Sequence, residues 1–119
     1  MKDSVRPTLL LLLVFVSSCY HFRSLRIPDD ATPEVMYERA GCAACHGQDR
    51  WGTDKAPGLR ELAAHWTVDQ LAKYIAEPGE HRDARLEELD RLYETEMPGS
   101  GFLSRPQREA LAEWLMGYE

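Results

Sequence analysis

The stretch "AGCAACHGQ", residues 40–48, constrains the fold of this chain more than any other. It contains two of the three cysteines, Cys42 and Cys45, and His46 follows directly. On a helix the cysteines stand at i and i+3, and His46 stands at i+4 from Cys42, so all three side chains project from one face. A flat group can then be bonded at two points of this face and ligated at a third.

The first 19 residues have the layout of a secretion signal. Lys2 and Arg6 precede an unbroken apolar run at residues 9–16, and two serines follow it. The run is too short to span a bilayer, which takes about 20 residues as a helix. The sequence therefore predicts export and argues against a transmembrane anchor.

In an exported chain, the pattern C-x-x-C-H predicts one covalently bound haem c. Cys42 and Cys45 would form thioethers with the vinyl groups, and His46 would ligate the iron. A thioredoxin-like dithiol is an alternative, but it belongs beside a βαβ pattern that is missing here. A structural zinc site is another, but it needs four ligands and would have to borrow His65 and His81.

The length and the charge of the chain limit its number of domains and its partners. The chain has 119 residues, enough for one small domain, and 44% of them are hydrophobic. Because a small domain buries a modest share of its surface, a large apolar cofactor would help to fill its core. The formal net charge of −6 argues against a nucleic-acid partner, which would need a basic face.

The periodicity predicts an all-α domain wrapped around the haem. Thr32 is a good N-cap, with Pro33 at the first helical position and Gly41 interrupting the helix before the cysteines. Further helices are predicted from residue 67, over residues 83–96 and from residue 104, and no segment alternates like a strand. Capping boxes mark two of these starts: Thr67 with Gln70, and Ser104 with Gln107.

From about Thr32 to Tyr118 the chain resembles the class I, monohaem c-type cytochromes of bacteria. The resemblance implies a small helical fold around one haem, and one-electron transfer between Fe(III) and Fe(II). The matching stretches occur in the family's order: "YERAGCAACHG" (37–47), "APGL" (56–59), "MPGSGFLS" (97–104) and "ALAEWL" (110–115).

Met97 is predicted as the second axial ligand of the iron. Pro98 favours an extended backbone at Met97, so that its thioether can leave a loop, and the resemblance assigns the distal ligand to this position. The alternatives are Met36, Met116, His65, His81 or an open site.

The resemblance assigns three further roles. The carbonyl of Pro57 would accept a hydrogen bond from the proximal histidine, as metal-bound histidines usually require. Tyr37 and Trp114 would meet where the first and last helices cross. Pro33 stands near the place of the family's usual glycine, which implies a looser or shifted crossing.

The stretch 80–96 is longer and more charged than the family's usual connection. Its apolar seam, formed by Leu86, Leu89, Leu92 and Tyr93, is predicted to pack over the haem side of the domain. The alternative is a docking surface for a partner protein. Trp51 and Trp66 are candidates to line the haem or to bond one of its propionates, with core filling as the alternative.

"VSSC", residues 16–19, resembles the lipobox of bacterial lipoproteins. This implies a signal peptide at 1–18, a lipidated tether at 19–31 beginning at Cys19, and the cytochrome domain at 32–119. Loss of residues 1–18 removes two positive charges and one negative charge, which makes the mature charge −7. The alternative is ordinary cleavage that leaves Cys19 as a free thiol. Tyr20 stands where an aspartate would signal inner-membrane retention, so the sequence is compatible with a location in the inner or the outer membrane.

These features predict an electron carrier and not an enzyme. It would serve a periplasmic or membrane-associated respiratory chain, with redox proteins as donor and acceptor and the membrane as a partner through the lipid on Cys19. Two alternatives are a haem-based sensor or peroxidase-like enzyme with a labile distal ligand, and a cytochrome subunit of a larger dehydrogenase or oxidase complex.

Overall fold

The computed structural model describes residues 27–117, and this part of the chain is helical. It contains no β-strand, only an isolated bridge between Gly52 and Pro57, and the predicted all-α fold is confirmed. The helices are α1 (Pro33–Arg39), α2 (Cys42–His46), α3 (Val68–Ala76), α4 (Ala84–Tyr93) and α5 (Arg105–Met116), with 3-10 turns at Leu62–Ala64 and Pro78–Glu80.

Polar side chains start the main helices where the sequence predicts. The Thr32 hydroxyl accepts a hydrogen bond from the Val35 N–H at 3.4 Å, one residue before Pro33 begins α1. Both predicted capping boxes form, at the starts of α3 and α5. These side chains satisfy N–H groups that the first turn of a helix leaves unpaired.

The core lies where α5 packs against α1 and α3. Leu103 and Leu111 are its most deeply buried large side chains. At the crossing of α1 and α5 the rings of Tyr37 and Trp114 lie 5.6 Å apart between centroids, tilted by 55°. These are the two aromatic residues predicted for the crossing, which forms with Pro33 at the start of α1.

The described part of the predicted tether packs against the domain. Ile27 is buried in the hydrophobic core, and the Gln107 side-chain amide donates a hydrogen bond to the Pro28 carbonyl at 2.9 Å. The packed unit thus reaches back at least to residue 27, five residues before the predicted boundary at 32.

The predicted signal peptide and Cys19 lie outside the described residues. Within residues 27–117, no helix has the length and apolar character needed to cross a membrane.

Candidate haem site

The predicted site residues of the domain meet at one cavity. It measures about 190 Å³ and is lined mainly by apolar side chains. Five predicted site residues line it: Cys42, Cys45, His46, Pro57 and Met97. The sixth, Cys19, lies outside the described residues.

Two glycines and one tyrosine set the position of α2, which carries the cysteines and the histidine. Gly41 turns the chain between α1 and α2 with φ +86°, and Gly47 ends α2 with φ +85°. Both values lie where glycine has no steric penalty. The buried Tyr37 hydroxyl donates a hydrogen bond to the Gly47 carbonyl at 2.7 Å, which ties α1 to the end of α2.

His46 is buried and bonded through one ring nitrogen. Its Nδ1 lies 2.7 Å from the Pro57 carbonyl oxygen. Because a carbonyl oxygen only accepts, Nδ1 must carry the proton, and the lone pair of Nε2 is left for a metal. Burial also lowers the pKa of His46, which keeps the imidazole neutral.

A tight loop holds Pro57 in this position. The Gly52 N–H donates to the His46 carbonyl at 2.9 Å, and Gly52 also bridges to Pro57. The backbone packs so closely here that a Cβ on Gly52 would lie 2.6 Å from the Gly58 nitrogen and 2.9 Å from the Pro57 carbonyl carbon. The Thr53 hydroxyl donates to the Cys45 carbonyl at 2.5 Å and ties the loop to α2 a second time.

Cys42 and Cys45 are free thiols and partly buried. Burial raises the pKa of the Cys42 thiol above its ordinary value. Redox-active dithiols have the opposite property, a lowered thiol pKa. Within residues 27–117, no three or more His, Cys, Asp or Glu side chains lie close enough together to hold a metal ion.

Met97 reaches the cavity from the segment between α4 and α5. This segment is fastened to the end of α3, because the Ser100 N–H donates to the Ile75 carbonyl at 2.8 Å. A Cβ on Gly99 would lie 2.6 Å from the Ala76 carbonyl oxygen, so the two backbones are in close contact. The other candidate ligands, Met36, Met116, His65 and His81, do not line the cavity.

Helix α4 forms a wall of the cavity without backbone contact to the other helices. Among the described helices, none has a Cα within 8 Å of a Cα in α4. Leu86, Leu89 and Tyr93 line the cavity, whereas Leu92 is 67% exposed. Leu92 lies six residues after Leu86, about 120° round the helix at 100° per residue, so it leaves the predicted seam.

The two tryptophans have different environments. Trp66 lines the cavity, with its ring 5.0 Å from that of Tyr74 between centroids. Trp51 does not line it and is 66% exposed, with the Arg60 guanidinium 3.8 Å above its ring. Of the two, only Trp66 lines the cavity, and its contact with the haem stays a prediction.

Three features of the site are not predicted by the sequence patterns described above. They are the Tyr37 hydroxyl bond to Gly47, the close packing around Gly52, and Arg85, whose guanidinium lies 5.2 Å from the Trp66 ring centroid. The first and the third join separate segments of the chain, whereas the second lies within one loop. The glycine-rich composition of the loop was the only hint of the second.

The residues at the cavity fit a c-type haem. Two free thiols can form thioethers, a neutral imidazole offers one nitrogen, and a thioether sulfur is available in the same cavity. The mainly apolar lining suits a large flat group with few polar atoms.

Comparison with known proteins agrees with this fit. The sequence model of cytochrome c matches residues 34–119, which include all five of these residues. No curated protein and no solved structure gave a significant match.

Proposed function

The chain belongs to the cytochrome c family, and on this premise we propose that it carries single electrons between redox proteins on the exported side of a bacterial membrane. The family binds haem covalently through a cysteine pair, here Cys42 and Cys45. Domains of this family are typically electron carriers and not enzymes.

When bound, the haem supplies the one-electron Fe(III)/Fe(II) couple. His46 would offer Nε2 to the iron, while the Pro57 carbonyl fixes the tautomer and the ring orientation. Met97 would offer its sulfur from a segment fastened to α3. A histidine and methionine pair raises the reduction potential relative to many other ligations, which suits a carrier.

One observation carries the proposal: His46 and Met97 come from separate segments and line a single cavity together with both cysteines. The other candidate ligands do not line it. Two protein ligands would leave no iron position for a substrate, which favours electron transfer over the sensor and peroxidase-like alternatives.

The proposed location rests on the lipobox-like "VSSC". A diacyl- or triacylglyceryl group on Cys19 would anchor the chain firmly, where a single acyl chain gives marginal binding. Ile27 is already packed in the core, so the eight residue-to-residue steps from Cys19 to Ile27 give a reach of roughly 28 Å between lipid and domain when extended. The anchor would keep the haem near membrane redox complexes and raise its effective concentration there.

Visible spectra of the oxidised and reduced holoprotein test the iron ligands. We expect a low-spin c-type spectrum with a weak iron–thioether band in the wild type. Met97→Ala should abolish this band and begin to bind CO, whereas Met116→Ala, a matched control away from the cavity, should keep the band. A wild type that is already high-spin and binds CO readily would favour a sensor or enzyme.

Labelling with radioactive palmitate tests the anchor. We expect label in the wild type and none in Cys19→Ser, with haem staining of both bands to show that the domain matures equally. Equal labelling of the two proteins would refute lipidation at Cys19.

A further inference from the structure

We propose that Arg85, held over the face of Trp66, binds a carboxylate of the haem. Haem c carries two propionate carboxylates besides the vinyl carbons that cysteines bond. The inference rests on the covalent haem and on its proposed electron-transfer role, and it adds a binding residue on α4 for the charged edge of the cofactor.

The cavity supplies few positive charges for these carboxylates. Burying an unpaired carboxylate beside apolar side chains is costly, so each needs a cation or hydrogen-bond donors. Among the residues lining the cavity, Lys55 and Arg85 carry positive charge, and Asp90 and Glu96 carry negative charge.

The negative charges are already compensated by a different arginine. The Arg82 guanidinium is hydrogen-bonded to the Asp90 carboxylate, and Glu96 lies near enough to raise the pKa of Arg82 further. Asp90 and Glu96 therefore do not pair with the Arg85 guanidinium.

Arg85 keeps its hydrogen-bonding capacity. Its contact with Asp83 is 3.9 Å long, beyond hydrogen-bond distance. In the described part of the chain, no carboxylate lies closer to its guanidinium nitrogens. The planar guanidinium is thus placed to donate two parallel N–H bonds to an incoming carboxylate.

The surroundings of Arg85 fix its position at the edge of the cavity. Its guanidinium lies 5.2 Å from the Trp66 ring centroid, and Trp66 packs in turn on Tyr74. Stacking on an aromatic face leaves the edge of the guanidinium available for in-plane hydrogen bonds. The side chain is 38% exposed, so it meets both the cavity and the solvent, where the polar edge of a mainly apolar cofactor is best accommodated.

Lys55 suits the role less well. It is exposed on the loop that holds Pro57. Its flexible ammonium lacks the planar fork that matches a carboxylate. The choice between the two cations can be measured.

The test compares holoproteins that lose one positive charge from α4. Arg85→Gln removes the proposed partner. Arg91→Gln is the matched control, because Arg91 lies on the same helix, is 73% exposed and pairs with Glu88 at 2.9 Å. The midpoint reduction potential is measured by spectroelectrochemical titration, and the carboxylate bands are measured by redox-difference infrared spectroscopy.

We expect Arg85→Gln to lower the Fe(III)-to-Fe(II) equilibrium constant about tenfold, a downward shift of about 59 mV for a one-electron couple. A nearby cation favours the state with the extra electron. The haem carboxylate band should also move. Arg85→Lys should keep a reduction potential close to that of the wild type, because it keeps the positive charge. Its carboxylate band should still differ from that of the wild type, because lysine cannot donate the two parallel hydrogen bonds. Arg91→Gln should change neither quantity appreciably.

Equal shifts of the reduction potential in Arg85→Gln and Arg91→Gln would overturn the assignment. Lys55→Gln tests the other cation, and a carboxylate band that moves in this variant but not in Arg85→Gln would also overturn the assignment. If Arg85→Gln fails to mature, the carboxylate band of Arg85→Lys is the test: a shifted band supports the assignment, and the wild-type band refutes it. A wild type without a reversible one-electron couple would refute the proposed function instead, so the two failures are distinguishable.

Discussion

Replacing Gly52 with alanine tests whether close backbone packing holds Pro57 against His46. Gly52 has φ +90°, a left-handed conformation that costs an alanine roughly 1–2 kcal/mol. The new Cβ would also lie within 3.0 Å of three backbone atoms of residues 56–58, none of which can rotate away. Overpacking of this kind costs typically 1–3 kcal/mol, so the expected total is about 2–5 kcal/mol.

Two other glycines separate the strain from the clash. Gly41 has φ +86° with no protein atom within 4 Å of its Cβ position, so Gly41→Ala should lose about 1–2 kcal/mol through backbone strain, without a backbone clash. Gly79 has open space and no positive φ, so Gly79→Ala should stay within about 0.5 kcal/mol of the wild type. The remaining loss in Gly52→Ala is then due to displaced backbone.

Urea unfolding of the three holoproteins, followed by helical circular dichroism, gives these free energies of unfolding. The Nδ1 proton signal of His46, recorded by NMR in the reduced state, should shift in Gly52→Ala and stay unchanged in Gly79→Ala. If Gly52→Ala were no less stable than Gly41→Ala, with the same His46 signal as the wild type, close packing at Gly52 would not be what positions Pro57.

Three further predictions concern packing and hydrogen bonds. Tyr37→Phe should lose about 0.5–1.5 kcal/mol at pH 7 in urea unfolding, because it lacks the bond to Gly47. Burial raises the pKa of Tyr37 from 10.0 to about 12, so the stability that Tyr37 contributes is complete below pH 10 and is lost as the pH rises through 12. Because burial also raises the pKa of Tyr74, Tyr37→Phe should keep part of the alkaline decline but lose less stability than the wild type; an equal decline in both proteins would contradict the assignment. Ile27→Ala should cost about 2–5 kcal/mol, whereas the exposed Asp29→Ala should cost under about 0.5, and equal thermal midpoints would show that the segment does not pack. Ser104→Ala should cost about 0.5–2 kcal/mol through loss of the cap on α5, and an unchanged midpoint would argue against the capping box.

Local signals predicted the helices well, because the interactions behind them are local. The caps at Thr32, Thr67 and Ser104 each bond an N–H only three residues away. The spacing of Cys42, Cys45 and His46 on one turn is likewise a property of the helix itself. Their shared cavity with Met97 agrees with the order of motifs along the chain.

Contacts between distant segments were not predictable from a single sequence. Gln107 meets Pro28 across 79 residues, so the segment 27–31 looked like a tether when read by composition alone. The place of Arg85 over Trp66 depends on where α4 sits and not on any local pattern. Lipidation of Cys19, the location of the protein and its redox partners stay predictions.

The isolation of α4 bears on how the domain is loaded with its cofactor. Since no other described helix approaches its backbone within 8 Å, α4 depends for its position on side-chain contacts such as that of Arg85 with Trp66. In the apoprotein its amide hydrogens should therefore exchange with solvent sooner than those of α3 and α5, which pack on each other. A maturation enzyme would then meet the cysteine-bearing helix α2 already packed on α1, while α4 still exchanges readily.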